Sequence, residues 1–151
     1  MHSIDLEKKT AAALEKPPLS RTVVMRACGR LAGLLTGGAY DGEIRARGLE
    51  KLLTRERICQ AAFFLREDTL ERRVKTELLG LQNRFLMPLG VLMHVTAGNM
   101  TGIGAYSVLE GLLAGNINLL KLSSEDDGLS VFLLQELIRI EPVLADYIYT
   151  F

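Results

Sequence analysis

The chain has 151 residues, of which 48% are hydrophobic and 24% charged, and its 18 basic residues balance its 18 acidic ones. This length suits one typical domain with a single core, and the composition excludes a disordered chain. The first 86 residues are net basic and the rest net acidic. In the first part the basic residues alternate with acidic ones, which favours a solvated helical surface. We therefore do not expect nucleic acid as a partner.

The cysteines and the start of the chain bear on metals and on cellular location. Cys28 and Cys59 have no metal-type spacing, and no apolar signal segment precedes the charged first residues. We therefore expect no metal site, two buried or free thiols, and a cytoplasmic location. Although no Lys or Arg lies between Phe85 and Leu120, glycines and polar residues interrupt that stretch, so we expect no membrane span.

Residues 1–86 are predicted to form a helical leader region, because apolar residues recur there at three- and four-residue spacing. The predicted helices run from a cap at Ser20 to Leu35, from Asp41 toward Leu53, from a cap at Thr54 through Leu65, and from Asp68 or Thr69 to Gly80.

From residue 87 onward, short apolar runs alternate with helical patterns. The predicted elements are a strand at Val91 to Val95, a helix at Ile103 to Leu113, a strand at Ile117 to Leu122, a helix at Asp126 to Ile140 and a strand at Tyr147 to Phe151. The first apolar run is nearly continuous, which is typical of a strand covered on both faces. Two strand-helix-strand crossovers predict an α/β fold with the start of a parallel, Rossmann-like sheet in 87–151.

Polar residues follow the first two predicted strands. Ligands of parallel sheets bind beyond the carboxyl ends of the strands, which here are residues 96–99 and 121–124. Asn99 could donate from its amide to a developing oxyanion or simply fill a turn position. Lys121 could contact a ribose or a phosphate, or extend into solvent. His94 lies in an apolar run, which favours a hydrogen-bonded core histidine over a catalytic one.

A glycine pattern follows the first strand. Gly102, Gly104 and Ser107 give G-x-G-x-x-S, which is close to a dinucleotide-binding fingerprint, and Glu125 lies at about the expected distance downstream. The third position is Ser, and the loop before Gly102 is too long for the tight turn of that fingerprint. We therefore favour glycines that allow close packing between helix and sheet.

Several ordered motifs together resemble a known family. The motifs are Pro88–Gly90, His94–Asn99, Leu112–Asn116 and Lys121–Ser124. In this order and at these separations they resemble the acyl-CoA reductases that include the fatty-acid reductase of bacterial luminescence, a branch of the aldehyde dehydrogenase superfamily. The resemblance implies reduction of an acyl-CoA to an aldehyde and CoA through a cysteine thioester, with NADPH or NADH as cofactor.

The resemblance also implies roles for individual residues. Asn99 matches the oxyanion-hole asparagine, and Lys121 matches the lysine that binds the adenosine ribose. The remaining expected cofactor-binding residues are Thr96, Ala97, Gly98, Ser123 and Ser124. Ser124 falls where many NAD-preferring aldehyde dehydrogenases carry a glutamate on that ribose. Because a missing carboxylate removes repulsion against a 2′-phosphate, we expect NADPH to be favoured.

One feature of the family is missing from this sequence. Its nucleophilic cysteine lies far downstream in a separate catalytic domain, whereas Cys28 and Cys59 lie in the helical leader. We therefore expect an N-terminal portion of the reductase, with a truncated cofactor domain, that is inactive alone. The alternatives are a non-catalytic oligomeric interaction protein that keeps the fold and a small dinucleotide-binding regulator that uses Gly102 and Gly104. A homo-oligomer is expected, because Tyr147 to Phe151 would form an open sheet edge.

Overall fold

The computed structural model describes residues 3–78, 87–96, 102–123 and 128–151. The chain forms two compact units, one made of Met1–Arg21 with Leu86–Phe151 and the other of Thr22–Phe85. The first unit contains a parallel sheet and the second is helical in its described part. The predicted α/β fold class is therefore confirmed, in a chain that is mostly helical.

The described part of the helical unit contains helices α2 to α5 and one stretch of π-helix. Their bounds are Arg21–Thr36 for α2, Asp41–Ala46 for α3, Arg55–Leu65 for α4, Glu67–Arg73 for α5 and Val74–Leu78 for the π-helix. The Thr54 hydroxyl accepts a hydrogen bond from the Arg57 backbone N–H at 3.3 Å, so the predicted cap of α4 is confirmed.

Two predicted helix bounds in this unit are wrong. The second helix ends at Ala46 and not near Leu53, because the chain turns at Gly48, whose φ of 69° is left-handed. Helix α5 begins at Glu67 after Arg66, whose extended backbone occupies the N-cap position. The predicted end at Gly80 lies outside the described residues.

In its described residues, the sheet unit carries α1, three strands, two further helices and a short 3₁₀ helix. The bounds are Ser3–Leu14 for α1, Val91–Val95 for β1, Ile103–Leu113 for α6, Ile117–Lys121 for β2, Leu129–Ile140 for α7, Pro142–Asp146 for the 3₁₀ helix and Ile148–Thr150 for β3. The strand order is β1-β2-β3, and both pairings are parallel. The predicted parallel arrangement is therefore confirmed.

Helix α7 begins later than predicted. Its first residue is Leu129, and the preceding Gly128 has a left-handed φ of 81° that a helical residue cannot adopt. The expected start at Asp126 lies outside the described residues.

The core of the sheet unit lies between the sheet and helices α6 and α7. Helix α6 packs on β1 and β2, and α7 packs on α6. The side chains that fill this layer are fully or almost fully buried: Val108, Leu112, Leu120, Phe132 and Leu144. Leu120 faces these helices. Because successive side chains of a strand point to opposite faces of the sheet, every second residue of β1 and β2 points away from the helices.

The expectation that β1 is covered on both faces is wrong. Val91, Met93 and Val95 are 37%, 59% and 68% exposed, whereas Leu92 and His94 between them are partly buried. The apolar run is continuous, but it lies at the edge of the sheet, where α6 covers one face of the strand. Continuity of apolar residues therefore does not report burial on both faces here.

Residues just before α2 fasten the N-terminal segment to the sheet. Lys16 forms an ion pair with Asp146 at 2.5 Å, and the Tyr147 hydroxyl donates to the Pro17 carbonyl at 3.1 Å. The pKa of Lys16 is raised, chiefly by its hydrogen bond to Asp146. These contacts join the N-terminal segment to the entry of β3.

Candidate functional site

The carboxyl ends of the three strands meet at one edge of the sheet. In the register of the sheet Val95 lies opposite Lys121, and Leu120 lies opposite Thr150. The Leu122 backbone N–H donates to the Phe151 carbonyl at 2.9 Å, which continues the pairing one residue beyond β2. This edge is where parallel α/β sheets bind their ligands.

Three of the predicted site residues reach this edge. Thr96 directly follows β1, Lys121 ends β2, and Ser123 lies two residues further on. The Lys121 side chain is exposed, and Thr96 and Ser123 are partly buried. An ammonium group and two hydroxyls can donate hydrogen bonds to the hydroxyl and phosphate oxygens of a ribose-containing ligand. The other predicted residues, Ala97, Gly98, Asn99 and Ser124, lie outside the described residues.

The glycine pattern is explained by packing. Gly102 has a left-handed φ of 72° at the N-cap of α6. A Cβ on Gly104 would lie 2.9 Å from Ser130 Oγ and 3.1 Å from a Leu120 methyl. Gly104 therefore lets α6 approach α7 and the sheet closely, as the structural interpretation of the pattern predicts.

A polar network under α6 was only partly predictable. His94 lies between two partners, with Nδ1 2.7 Å from Ser107 Oγ and Nε2 3.0 Å from Asn118 Oδ1. The network joins β1, α6 and β2. His94 is thus a hydrogen-bonded structural residue, as its apolar setting favoured, but neither partner could be read from spacing.

The direction of the hydrogen bond between His94 and Asn118 follows from the other contacts of Asn118. Its amide nitrogen donates to the carbonyls of Asn116, at 2.7 Å, and Tyr147, at 3.3 Å, so its oxygen faces His94. An oxygen can only accept, so the His94 Nε2–H is the donor in the contact with Asn118. Asn118 is fully buried, so each of its polar atoms needs such a partner.

Gly111 supplies the space that this network needs. A Cβ on Gly111 would lie 1.8 Å from Asn118 Oδ1 and 3.3 Å from His94 Nε2. Because Asn118 is held by two further hydrogen bonds, it cannot move aside without losing them. Glycine is therefore required at this point of α6 for close approach and not for backbone freedom.

A further contact caps α6. The Arg21 Nε–H donates to the Leu113 carbonyl at 2.8 Å, at the last residue of the helix. A cation at a helix C-terminus is favourable because the helix dipole is negative there. This contact fixes the end of α6 opposite the predicted site.

Cys28 does not have the environment of a catalytic thiol. Cys28 is fully buried in α2, and burial raises its pKa to about 12, so its thiolate is not accessible near neutral pH. Cys59 is exposed on α4. Among the described residues, no group of three or more His, Cys, Asp or Glu side chains could hold a metal ion.

An open groove lies in the helical unit, between α2 and α4. It has a volume of about 860 Å³, and its lining includes Arg26, Arg30, Phe63 and Arg66. Arg66 forms two hydrogen bonds to Asp68, at 3.0 and 3.1 Å, and this contact holds the pKa of Asp68 below its usual range.

The fold defines an α/β protein with a small parallel sheet. The family model described as Acyl-CoA reductase (LuxC) matches residues 39–149. This match covers most of the chain, so the chain belongs to the LuxC acyl-CoA reductase family, as its motifs predicted. No curated protein and no solved structure matches the chain. No described helix has the length and apolar character needed to cross a membrane.

Proposed function

We propose that this chain provides part of the cofactor site of an NAD(P)H-dependent acyl-CoA reductase, which converts an acyl-CoA to an aldehyde and CoA. The observation that carries the proposal is the alignment of Val95 with Lys121 in a parallel pair. It brings Thr96 and Lys121 to the same sheet edge, in a chain of the LuxC acyl-CoA reductase family.

The described residues fit the ribose end of a dinucleotide. Lys121 is exposed at the strand end and can donate to ribose hydroxyls, and Ser123 offers a further hydroxyl close by. The bound cofactor would supply the hydride for thioester reduction. The roles of Ala97, Gly98 and Ser124 in holding the cofactor, and of Asn99 in the oxyanion hole, rest on the resemblance of the motifs.

NADPH is the proposed preferred cofactor. A serine at position 124 leaves out the carboxylate that would repel a 2′-phosphate. NADPH should therefore bind at least as tightly as NADH. Tenfold tighter binding of NADH, a gap of about 1.4 kcal/mol, would contradict this preference.

This chain is not expected to turn over substrate by itself. Thioester attack needs an accessible thiolate, but Cys28 is buried with a raised pKa and Cys59 lies on α4, remote in sequence from the strand-end motifs. The expected result is no acyl-CoA-dependent oxidation of NADPH by this polypeptide. Measurable turnover would contradict the proposal. A cytoplasmic location is proposed with it, because Cys28 and Cys59 are free thiols.

Calorimetric titration with NADPH and NADH tests the cofactor site. Lys121→Ala should weaken binding of either cofactor by at least about tenfold, which corresponds to the loss of one charge-assisted hydrogen bond. Lys51→Ala is the matched control, since Lys51 is an exposed lysine in a turn of the helical unit. Binding that survives in Lys121→Ala, or the absence of binding to the unmodified chain, would contradict the proposed site.

A non-catalytic interaction protein is the second candidate, and one observation favours it. Several large apolar side chains next to β1 are exposed, Met87 and Leu89 each by 83%. Exposed apolar patches of this kind mark binding surfaces. This candidate expects a stable oligomer that neither cofactor affects, whereas the reductase proposal expects binding that depends on Lys121.

A further inference from the structure

Side-chain hydrogen bonds hold β1 to β2 at both ends of the strand. At its start, the buried Asn116 accepts a hydrogen bond at Oδ1 from the Gly90 N–H at 3.1 Å. Near its other end, the His94 Nε2–H donates to Asn118 Oδ1 at 3.0 Å. Breaking such a bond leaves a buried polar group without a partner, which is costly. These contacts therefore resist sliding or separation of β1 from β2.

His94 also ties this strand pair to helix α6. Its Nδ1 lies 2.7 Å from Ser107 Oγ, which belongs to α6. Its other partner, Asn118, donates from its amide to the Tyr147 carbonyl at the entry of β3, at 3.3 Å. One imidazole thus links β1 directly to β2 and α6, and through Asn118 to the start of β3. A change at position 94 therefore acts on the arrangement of these elements and not on one contact alone.

The contacts of His94 lie close to the carboxyl ends of the strands. His94 is two residues before Thr96 in the sequence, and the register pairs it with Leu120, the residue before Lys121. Thr96 and Lys121 are the two described residues that the proposed cofactor site takes from the ends of β1 and β2. Their relative position therefore depends on how firmly the part of β1 around His94 is held to β2.

We propose that His94 is a positioning residue, which holds the carboxyl ends of β1 and β2 in the geometry that the cofactor requires. This inference rests on the proposed function. Groups that bind a ligand must be held within about 0.5 Å of their productive positions, which is the task of hydrogen bonds behind them. Both ring nitrogens of His94 are engaged, by Ser107 and Asn118. His94 therefore acts through Thr96 and Lys121 and not by contact with the cofactor.

Calorimetric titration of the full chain with NADPH, at a temperature where every variant is folded, tests the effect on the cofactor. His94→Leu should raise the dissociation constant at least about tenfold, because leucine makes neither contact. His94→Gln should restore part of the affinity, since its amide can donate to Asn118 Oδ1. Arg21→Ala is the control, because it removes a hydrogen bond at the other end of α6 and should leave the dissociation constant unchanged. A role of His94 in stability alone would move the constant in neither variant.

Amide hydrogen exchange measured by NMR tests the strand ends without any cofactor. The ladder between β1 and β2 uses the N–H of Ile117 and of every second residue after it, so the Lys121 N–H faces β1. The Leu122 N–H instead donates to the Phe151 carbonyl, on the side of β3. In His94→Leu, the Lys121 amide should exchange at least about tenfold faster relative to the Leu122 amide, because the end of β1 separates more often from β2.

The outcomes separate this inference from the proposed function. Unchanged affinity in His94→Leu, with binding lost in Lys121→Ala, would overturn the inference and leave the proposed function intact. Unchanged relative exchange of the Lys121 amide would also overturn it. If the unmodified chain bound neither cofactor, the proposed function would fail, and the exchange would still decide whether His94 holds the strand ends. Ser107→Ala, which removes the contact to α6, replaces His94→Leu if circular dichroism shows the latter to be unfolded.

Discussion

Gly111→Ala tests the polar network under α6 most directly. The new methyl carbon would lie 1.8 Å from Asn118 Oδ1 and 2.9 Å from its Cγ. At that distance Asn118 must move, and the movement breaks its hydrogen bond to His94 and its two bonds to backbone carbonyls. No side-chain adjustment of alanine can relieve the clash, since a methyl group has no rotamers.

The size of the effect follows from opposing contributions. Alanine is better than glycine in a helix by about 1 kcal/mol. Overpacking a buried site costs about 1 to 3 kcal/mol, and each buried polar group left without a partner costs about 1 to 3 kcal/mol. The net expectation is a loss of about 2 to 4 kcal/mol in the free energy of unfolding. For a chain of this length that lowers Tm by roughly 5 to 15 °C.

Urea unfolding followed by circular dichroism measures this loss. Gly33→Ala is the control, because a Cβ there meets no atom within 4 Å and Gly33 lies inside α2; it should be neutral or stabilising. The double variant Gly111→Ala with Asn118→Ala should lose less free energy of unfolding than the two single variants lose together, because the clash disappears when the Asn118 amide is removed. If Gly111→Ala were as stable as the unmodified chain, the network would not be rigid and this reasoning would be refuted.

Three further measurements address other contacts. Thr54→Ala should lower the free energy of unfolding by about 1 kcal/mol, because it removes the cap of α4. The control Thr76→Ala should lower it less, because the Thr76 hydroxyl donates to the Arg72 carbonyl and caps no helix N-terminus. Arg21→Ala should lower the free energy of unfolding by about 1.5 to 3 kcal/mol, because it removes a charge-assisted hydrogen bond at the end of α6. Arg21→Gln should lower it by less. Equal stability of both variants and the unmodified chain would contradict the capping role. At pH 8 an aromatic disulfide reagent should modify Cys59 quickly and Cys28 only on unfolding. Burial raises the pKa of Cys28 to about 12, so the free energy of unfolding should fall as the pH rises from about 9 toward 12. The fall should be smaller in Cys28→Ala.

Local patterns in the sequence were sufficient to predict most elements of the sheet unit. Strand Val91–Val95 and helix Ile103–Leu113 have the predicted bounds. Both are delimited by glycines or by abrupt changes in polarity, which act over a few residues. The parallel pairing followed from the strand-helix-strand order. Antiparallel neighbours can be joined by a short hairpin, whereas parallel strands need a long crossover, which is usually a helix.

Other features depend on contacts between distant residues and could not be predicted. Exposure on one side of β1 depends on its position at the sheet edge, which the residues of the strand do not specify. The partners of His94 lie 13 and 24 residues away, so spacing gave no signal for them. A signal for Asn118 did exist: an asparagine inside an apolar strand must be hydrogen-bonded if buried.

The candidate site was predictable in outline. The position of Lys121 opposite the end of β1 follows from strand order and apolar periodicity alone. The roles assigned to Thr96, Lys121 and Ser123 came from the family motifs and stay predictions, because backbone placement does not identify a ligand. The LuxC acyl-CoA reductase family itself is confirmed by the match over residues 39–149.

The contacts of Lys16 and Pro17 with Asp146 and Tyr147 have a consequence for biosynthesis. They join residues that are 130 positions apart, and the helical unit Thr22–Phe85 lies between them in the chain. During translation that helical unit emerges complete while the first helix still lacks the strand segment to which it is tied. Closing so long a loop is slow because its entropy cost precedes its contacts. The helical unit should therefore acquire its structure on the ribosome first, and the sheet unit only after Tyr147 has been released from the exit tunnel.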